Sequence, residues 1–268
     1  MPTPEPGDRK SRIREQFNRI VSDYDVRGPG CFAQFGERLV DALDLAPAAR
    51  VLDVATGRGA ALWPAISRVG SAETVVGVDI SEAMVEATRA EASRRGLAVD
   101  IRCMDAEQLE FPDASFDTVL CAFGLMFFPE RQRALAQFRR VLRPGGQIGV
   151  TTWVRSQAED LSEVLTEFGH PESLAPGWID DADQLAQVLR EGMFRAVEIR
   201  AETITFRYEN LEQYWQNARG TGLRGTIDTM APELERRVRD ALSRRLTVGD
   251  GIEGVQADAV ALIGTARR

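Results

Sequence analysis

The chain is poor in the side chains that most often carry catalysis. Among 268 residues there is one histidine, His170, one lysine, Lys10, and three cysteines, Cys31, Cys103 and Cys121. Three scattered cysteines make no disulfide framework and fit a reducing compartment. A Cys/His zinc site lacks its ligands, so no metal is expected, and Schiff-base chemistry has a single candidate. Long apolar runs are scarce as well. The longest, Val119 to Phe128, contains Gly124 and falls far short of the ~20 residues that a membrane-crossing helix needs. The first ten residues, MPTPEPGDRK, are polar and proline-rich rather than leader-like. The expectation is a cytoplasmic protein without a membrane span. Positive charge is in deficit: 41 acidic against 33 basic residues give a net charge of -8. That balance disfavours a nucleic-acid partner, which needs a basic footprint, and favours a small-molecule substrate. An enzyme so short of reactive side chains must borrow its reactive group, and a cofactor is the natural source.

The hydrophobic pattern is richer. Residues 9–27 and 31–45 read as two helices, Ile13, Phe17, Ile20 and Val21 recurring on one face of the first. Short apolar runs then alternate with helical stretches of 10 to 15 residues. Strands are expected at 50–55, 75–80, 99–104, 116–123 and 147–153, with helices up to 69, at 81–95 (N-capped by Ser81) and at 130–142, the last stopped by Arg143-Pro-Gly-Gly146. This is the alternation of βαβ units and a parallel sheet. Beyond Trp153 the rhythm loosens: helices at 158–168, 181–191, 210–218 and 231–246, strands at 196–207 and 259–266, and glycine-rich loops at 170–177 and 219–226. One domain is expected, with N-terminal helices at about 9–46, a cofactor-binding core at 47–153 and a substrate side at 154–268 that carries a lid insertion near 209–256.

Three acidic positions stand at the ends of successive strands. Asp53 precedes the turn Ala55-Thr-Gly57-Arg-Gly59, where small residues let the backbone approach a ligand and a helix N-terminus follows. A pyrophosphate would be repelled by that acid, whereas an ammonium group suits it. Asp79, about 20 residues past the turn, is spaced to accept from both hydroxyls of a ribose. Asp105-Ala106 offers a carboxylate beside a backbone N–H, a pair able to read an adenine edge. In this order the three outline one crevice for an adenosine-bearing ligand with an amino-acid tail.

Here the sequence resembles the class I S-adenosylmethionine-dependent methyltransferases, in the branch of ubiquinone/menaquinone and small-molecule methyltransferases. The likeness runs over about residues 10–155 and rests on Phe17 with Tyr24-Asp25, VLDVATGRG, VVGVDIS with Met84, Asp105-Ala106, FPDASFDTVLCAFGLMFFPE and RVLRPGG. It implies an α/β Rossmann-like fold: a seven-stranded, mostly parallel sheet with helices on both faces, an antiparallel last strand and a helical lid. It implies S-adenosylmethionine as cofactor and S-adenosylhomocysteine as product. Asp53 and the Gly57/Gly59 turn would hold the methionine portion, Asp53 through water or backbone; Asp79 would bind the ribose; Ile80 and Met84 would pack on adenine. Asp105 and Ala106 would read its edge, Phe123 would lie beside the methyl donor, and Tyr24 would close over it. The family often has glycine where Ala55 stands.

On the acceptor side, Phe127, Phe128, Trp153, Trp178, Trp215 and Arg224 are candidate pocket residues, and His170, the one side chain whose ordinary pKa lies near neutrality, is the candidate base. The expected reaction is methyl transfer to oxygen, nitrogen or carbon of a small organic acceptor in metabolite or natural-product biosynthesis. The alternatives are a methyltransferase-like enzyme catalysing a step such as cyclisation, a non-enzymatic cofactor-binding protein, or an RNA or protein methyltransferase.

Overall fold

A computed structural model describes residues 6–26, 28–156, 158–170, 179–221, 223–246 and 254–268. Two N-terminal helices, α1 (Pro6–Ile20) and α2 (Cys31–Asp41), lead into β1 (Val51–Val54), α3 (Leu62–Val69), β2 (Val75–Asp79), α4 (Glu82–Arg94), β3 (Asp100–Cys103), β4 (Phe116–Ala122), α5 (Arg131–Val141) and β5 (Leu142–Arg155). The second half adds α6 (Glu159–Glu167), α7 (Ala182–Glu191), β6 (Arg195–Tyr208), α8 (Leu211–Arg219), α9 (Arg224–Thr229), α10 (Pro232–Arg245) and β7 (Val255–Arg267). The sheet has seven strands in the order β3-β2-β1-β4-β5-β7-β6. The first five pair in parallel, and β7 is antiparallel to both β5 and β6. This is the expected architecture.

Burial explains the sequence texture. All four residues of β1 are buried, as in a strand covered on both faces, so the run is continuously apolar apart from Asp53. On one face, Phe138, Leu135 and Leu185 from α5 and α7 pack on Val119, Ile148 and Val150; on the other, Leu39, Leu62, Ala65 and Val85 from α2, α3 and α4 pack on Val51, Val75 and Leu120. A third, aromatic cluster joins the roof helices α6, α8 and α10 to α2 and the sheet through Phe35, Trp153, Phe206, Tyr208, Tyr214 and Trp215.

Three expectations change. The first helix stops at Ile20, and the chain then turns through Tyr24 and Asp25, the latter at φ 55°. Arg143-Pro-Gly-Gly146 does not end the strand pairing: β5 begins at Leu142, which pairs with Phe116 before an irregularity restores register at Thr118 and Gln147. The segment 219–226 is no open loop, because Arg224 begins α9. Its guanidinium reaches Asp228 one turn on, and Ile227 is buried in the roof.

The neighbours of β1 fix where a ligand can sit. The chain leaves β1 for β2 on one side and returns as β4 on the other, so connections diverge between the carboxyl ends of β1 and β4. Such a switch point opens a crevice above the strands. Ala55 and Phe123 follow these two ends directly, and both are left-handed, at φ 55° and 57°. Non-glycine residues seldom take this conformation, which costs on the order of 1–3 kcal/mol at each.

Candidate active site

A cavity open to solvent lies at the switch point, where open α/β sheets commonly hold their ligands. Strand ends supply its floor: Val54 and Ala55 after β1, Asp79 and Ile80 at β2, Met104 to Glu107 after β3, and Ala122 to Gly124 at β4. Helix α1 and its turn supply the cover through Lys10, Ile13, Phe17 and Tyr24.

Asp79 organises the glycine turn. One carboxylate oxygen accepts from the Gly57 N–H at 2.8 Å and the other from the Ser81 N–H at 2.9 Å. The carboxylate is 7% exposed and lines the cavity, with lone pairs left for a ligand. Burial raises its pKa, and the N–H groups of Ser81, Gly57 and Ile80 hold it down. The opposite rim of the turn is fixed by Thr88, whose hydroxyl donates to the Gly57 carbonyl at 2.6 Å. Ser81 caps α4 as expected, accepting from the Met84 N–H at 3.1 Å.

Asp53 works from below. It is 1% exposed and does not line the cavity; one oxygen accepts from the Thr56 hydroxyl at 2.6 Å, and the other is buried without a hydrogen-bond partner among the described residues. Burial pushes its carboxyl up to about 7, against the Thr56 hydroxyl, with Asp79 adding to the rise. It therefore shapes the cavity only indirectly, through the turn it supports. Gly59 likewise stays outside the cavity. A Cβ at that residue would strike the Trp63 indole, so its need for glycine is packing and its positive φ of 86°. Gly124 has a similar reason, since a Cβ there would lie 2.6 Å from that of Ala55. The methyl of Ala55, where the resembled family often has glycine, thus fills space beside Gly124.

Ile80, Met84, Asp105, Ala106, Phe123, Phe127 and Phe128 line the cavity. Tyr24 stacks on Phe32 at 4.6 Å, and Phe17 meets Phe127 edge-on at 5.2 Å, closing an aromatic lip. Burial carries the Tyr24 phenol well above its ordinary pKa, leaving it protonated at neutral pH. Beyond the lip, Tyr24, Ala55, Gly57 and Phe123 also face an open recess with Asp25 and Arg58. Asp25 accepts from the Ala33 N–H at 3.0 Å, at the start of α2. Burial raises its carboxyl to about 6 in spite of that bond.

The remaining candidates lie elsewhere. Trp153 is buried behind the cavity wall, stacked on Phe123 at 4.0 Å. Trp215 is core, 2% exposed, with the Arg239 guanidinium 4.2 Å from its ring centre. Arg224 ion-pairs with Asp23 at 2.8 Å, tying the roof to the turn after α1. His170 is exposed just past α6, its N–H on the Leu165 carbonyl, and is not among the described residues lining the cavity. Trp178 lies outside the described residues. Among the described residues no group of three or more His, Cys, Asp or Glu could hold a metal ion.

The residue sequence reasoning passed over is Lys10. Counted there only as a scarcity, it lines the cavity and pairs with Asp105 at 2.7 Å and also with Glu107, a carboxylate 1% exposed. Burial opposes its charge, but the two acids prevail and hold its pKa above the ordinary value. Its isolation at the polar end of a helix whose other face is apolar was the one available signal.

A family model described as a methyltransferase domain matches residues 51–146. Nocamycin O-methyltransferase of Saccharothrix syringae is 45% identical over 136 residues, 50% of this chain and 49% of that protein. The chain thus spans about half the length of that relative. Aklanonic acid methyltransferase DauC of a Streptomyces species (strain C5) is 35% identical over 198 residues, 67% of this chain and 90% of that one. Among solved structures, the cyclase SpnF superposes with a TM-score of 0.56 at 25% identity, covering 88% of this chain and 80% of that one.

Proposed function

The chain belongs to the class I S-adenosylmethionine-dependent methyltransferases, and from that premise we propose that it methylates an oxygen of a small organic acceptor of the natural-product kind. The observation that carries this reading is the convergence of Asp79, the Gly57 turn and the Asp105-Ala106 pair on one cavity, beneath an aromatic lip. The preference for oxygen is supported by the names of the relatives, one an O-methyltransferase and one acting on aklanonic acid.

The residues present suit the cofactor. Asp79 would take the ribose hydroxyls, and its bonds to Gly57 and Ser81 already fix its orientation. Ile80, Met84 and Met104 give apolar surface for a purine, with Asp105 and the Ala106 N–H at its edge. The turn at Ala55-Gly57 would carry the amino-acid tail, held at its shape by Asp53 through Thr56. When bound, S-adenosylmethionine supplies a methyl group already activated on a sulfonium sulfur. The protein's task is then alignment and exclusion of water. Phe123, held left-handed by bonds from its N–H to the Thr151 hydroxyl at 3.0 Å and carbonyl at 3.2 Å, fixes one wall; Tyr24 and Phe127 shut the other. A protonated Tyr24 phenol can donate a hydrogen bond to one oxygen of an acceptor that arrives already ionised, such as a carboxylate, so that no proton has to be removed as the methyl group is transferred. His170 is given no part in this reading.

The likeness to SpnF favours one second reading, in which the same cavity holds the cofactor while the acceptor cyclises without gaining a methyl group. One experiment separates the two. Isothermal titration with S-adenosylhomocysteine is expected to show a saturable site, and incubation of methyl-labelled cofactor with a panel of aromatic acids, phenols and enols is expected to yield a labelled product. Binding with a transformed but unlabelled product would support cyclisation, and no binding would remove both readings.

A further inference from the structure

Helix α1 is a strap rather than a core helix: of its described side chains only Ile20 is buried, the others being half-buried or exposed. It is clasped at both ends. At one end the Asn18 amide oxygen accepts from the Ser81 hydroxyl at 2.6 Å and from the Ala83 N–H at 3.2 Å, at the start of α4. At the other, Lys10 Nζ donates to Asp105 Oδ2 at 2.7 Å and pairs with Glu107. The eight helical steps from Lys10 to Asn18 span about 12 Å, and Ile13 and Phe17 line the cavity along that length.

The Lys10 clasp falls where the base of the cofactor is expected. Asp105 is braced a second time, its Oδ1 accepting from the Glu107 N–H at 2.9 Å, while Glu107 Oε1 accepts from the Glu130 N–H at 2.8 Å. Each carboxylate therefore has one oxygen committed to backbone and one turned toward the ammonium. Two acids this close repel each other, and the ammonium between them offsets that repulsion. With it, both stay in place as acceptors.

We propose that Lys10 is a cofactor-positioning residue that seals the base end of the cavity and holds Asp105 and Glu107 as paired acceptors for the 6-amino group of adenine. The proposal rests on the cofactor reading above and deepens it. Acceptors fixed in this way favour a purine that offers an amino group and reject one that offers a carbonyl oxygen, whose lone pairs would face theirs.

The test compares S-adenosyl-L-homocysteine with S-inosyl-L-homocysteine, in which a 6-oxo group replaces the 6-amino group, by calorimetry on the full chain. Wild type is expected to prefer the adenosyl ligand. Lys10→Met and Lys10→Gln should each weaken its binding about tenfold and cut the preference at least fivefold, whereas Lys10→Arg should stay within threefold of wild type. Two neutral variants guard against one failing to fold, and thermal melts verify each. Unchanged binding, or equal loss for both ligands with the preference kept, would overturn the proposal, the second outcome marking a strap that closes the site without reading the base. If wild type binds neither ligand, the cofactor reading falls first and takes this one with it.

Discussion

The half that carries the cavity and the helical roof are held together by different means. Around the cavity, buried polar groups are matched one to one with the backbone: Asp79 with Gly57 and Ser81, Thr88 with Gly57, Glu107 with Glu130, Thr151 with Phe123. Each bond has a single geometry, and the lone unmatched atoms, such as the second oxygen of Asp53, are correspondingly costly. The roof depends instead on an aromatic core and on arginine pairs near the surface. Arg245 spans Asp160, Glu163 and Glu167; Arg155 shares the first two; Arg239 joins Glu212 and Glu235. Exposed pairs of this kind are worth about 0–1 kcal/mol each and exchange partners easily.

The contrast is most open to attack at Asp53. Its carboxyl titrates at about 7 when folded against an ordinary 3.8, so between those values the folded chain keeps a proton that the unfolded chain has lost. The stability this proton brings is complete below pH ~4 and disappears as pH rises through about 7. Asp25, raised to about 6, acts in the same direction. From pH 5 to 8, Asp53 alone should cost about 3 kcal/mol. Asp53→Asn keeps an acceptor for Thr56 and cannot ionise, so its urea midpoint should fall far less over that range; a slope equal to wild type would contradict the assignment.

Next in size is Asp79→Ala, which removes both the brace of the glycine turn and a ligand acceptor. S-adenosylhomocysteine should bind about a hundredfold more weakly, near 2.7 kcal/mol. A loss under threefold in calorimetry would count against the one-to-one picture. The smallest effect is expected in the roof. Arg245→Met should lower stability by less than about 1 kcal/mol and leave cofactor affinity unchanged, as read by thermal melts and calorimetry together. A larger fall would mean that the roof pairs act as a specific network after all.

The same division explains what the sequence made legible. Strand, acid, small-residue turn and helix recur locally, so β1 to β4 and the residues Asp79, Ile80, Met84, Asp105, Ala106 and Phe123 could be located from short motifs. In the roof, an aromatic residue looks the same in sequence whether it lines a pocket or fills a core. Trp153, packed edge-on against Phe35, and Trp215 both lie in the buried aromatic cluster. The helix from Arg224 depends on Asp228 and on burial of Ile227, which three glycines nearby conceal. Lys10 was missed for a topological reason: its partners are about a hundred residues away, and only closure of α1 over the strand ends brings them together.

The stack of Trp153 on Phe123 has an optical consequence. The indole sits face to face, 4.0 Å away, against the ring that walls the cavity, and is itself 5% exposed. A ligand in the cavity would press on Phe123, whose ring is in contact with the indole. Trp153 is thus an intrinsic fluorescent reporter of occupancy, needing no label on protein or ligand. A Trp153→Phe variant would identify its share of the emission against Trp63, Trp178 and Trp215.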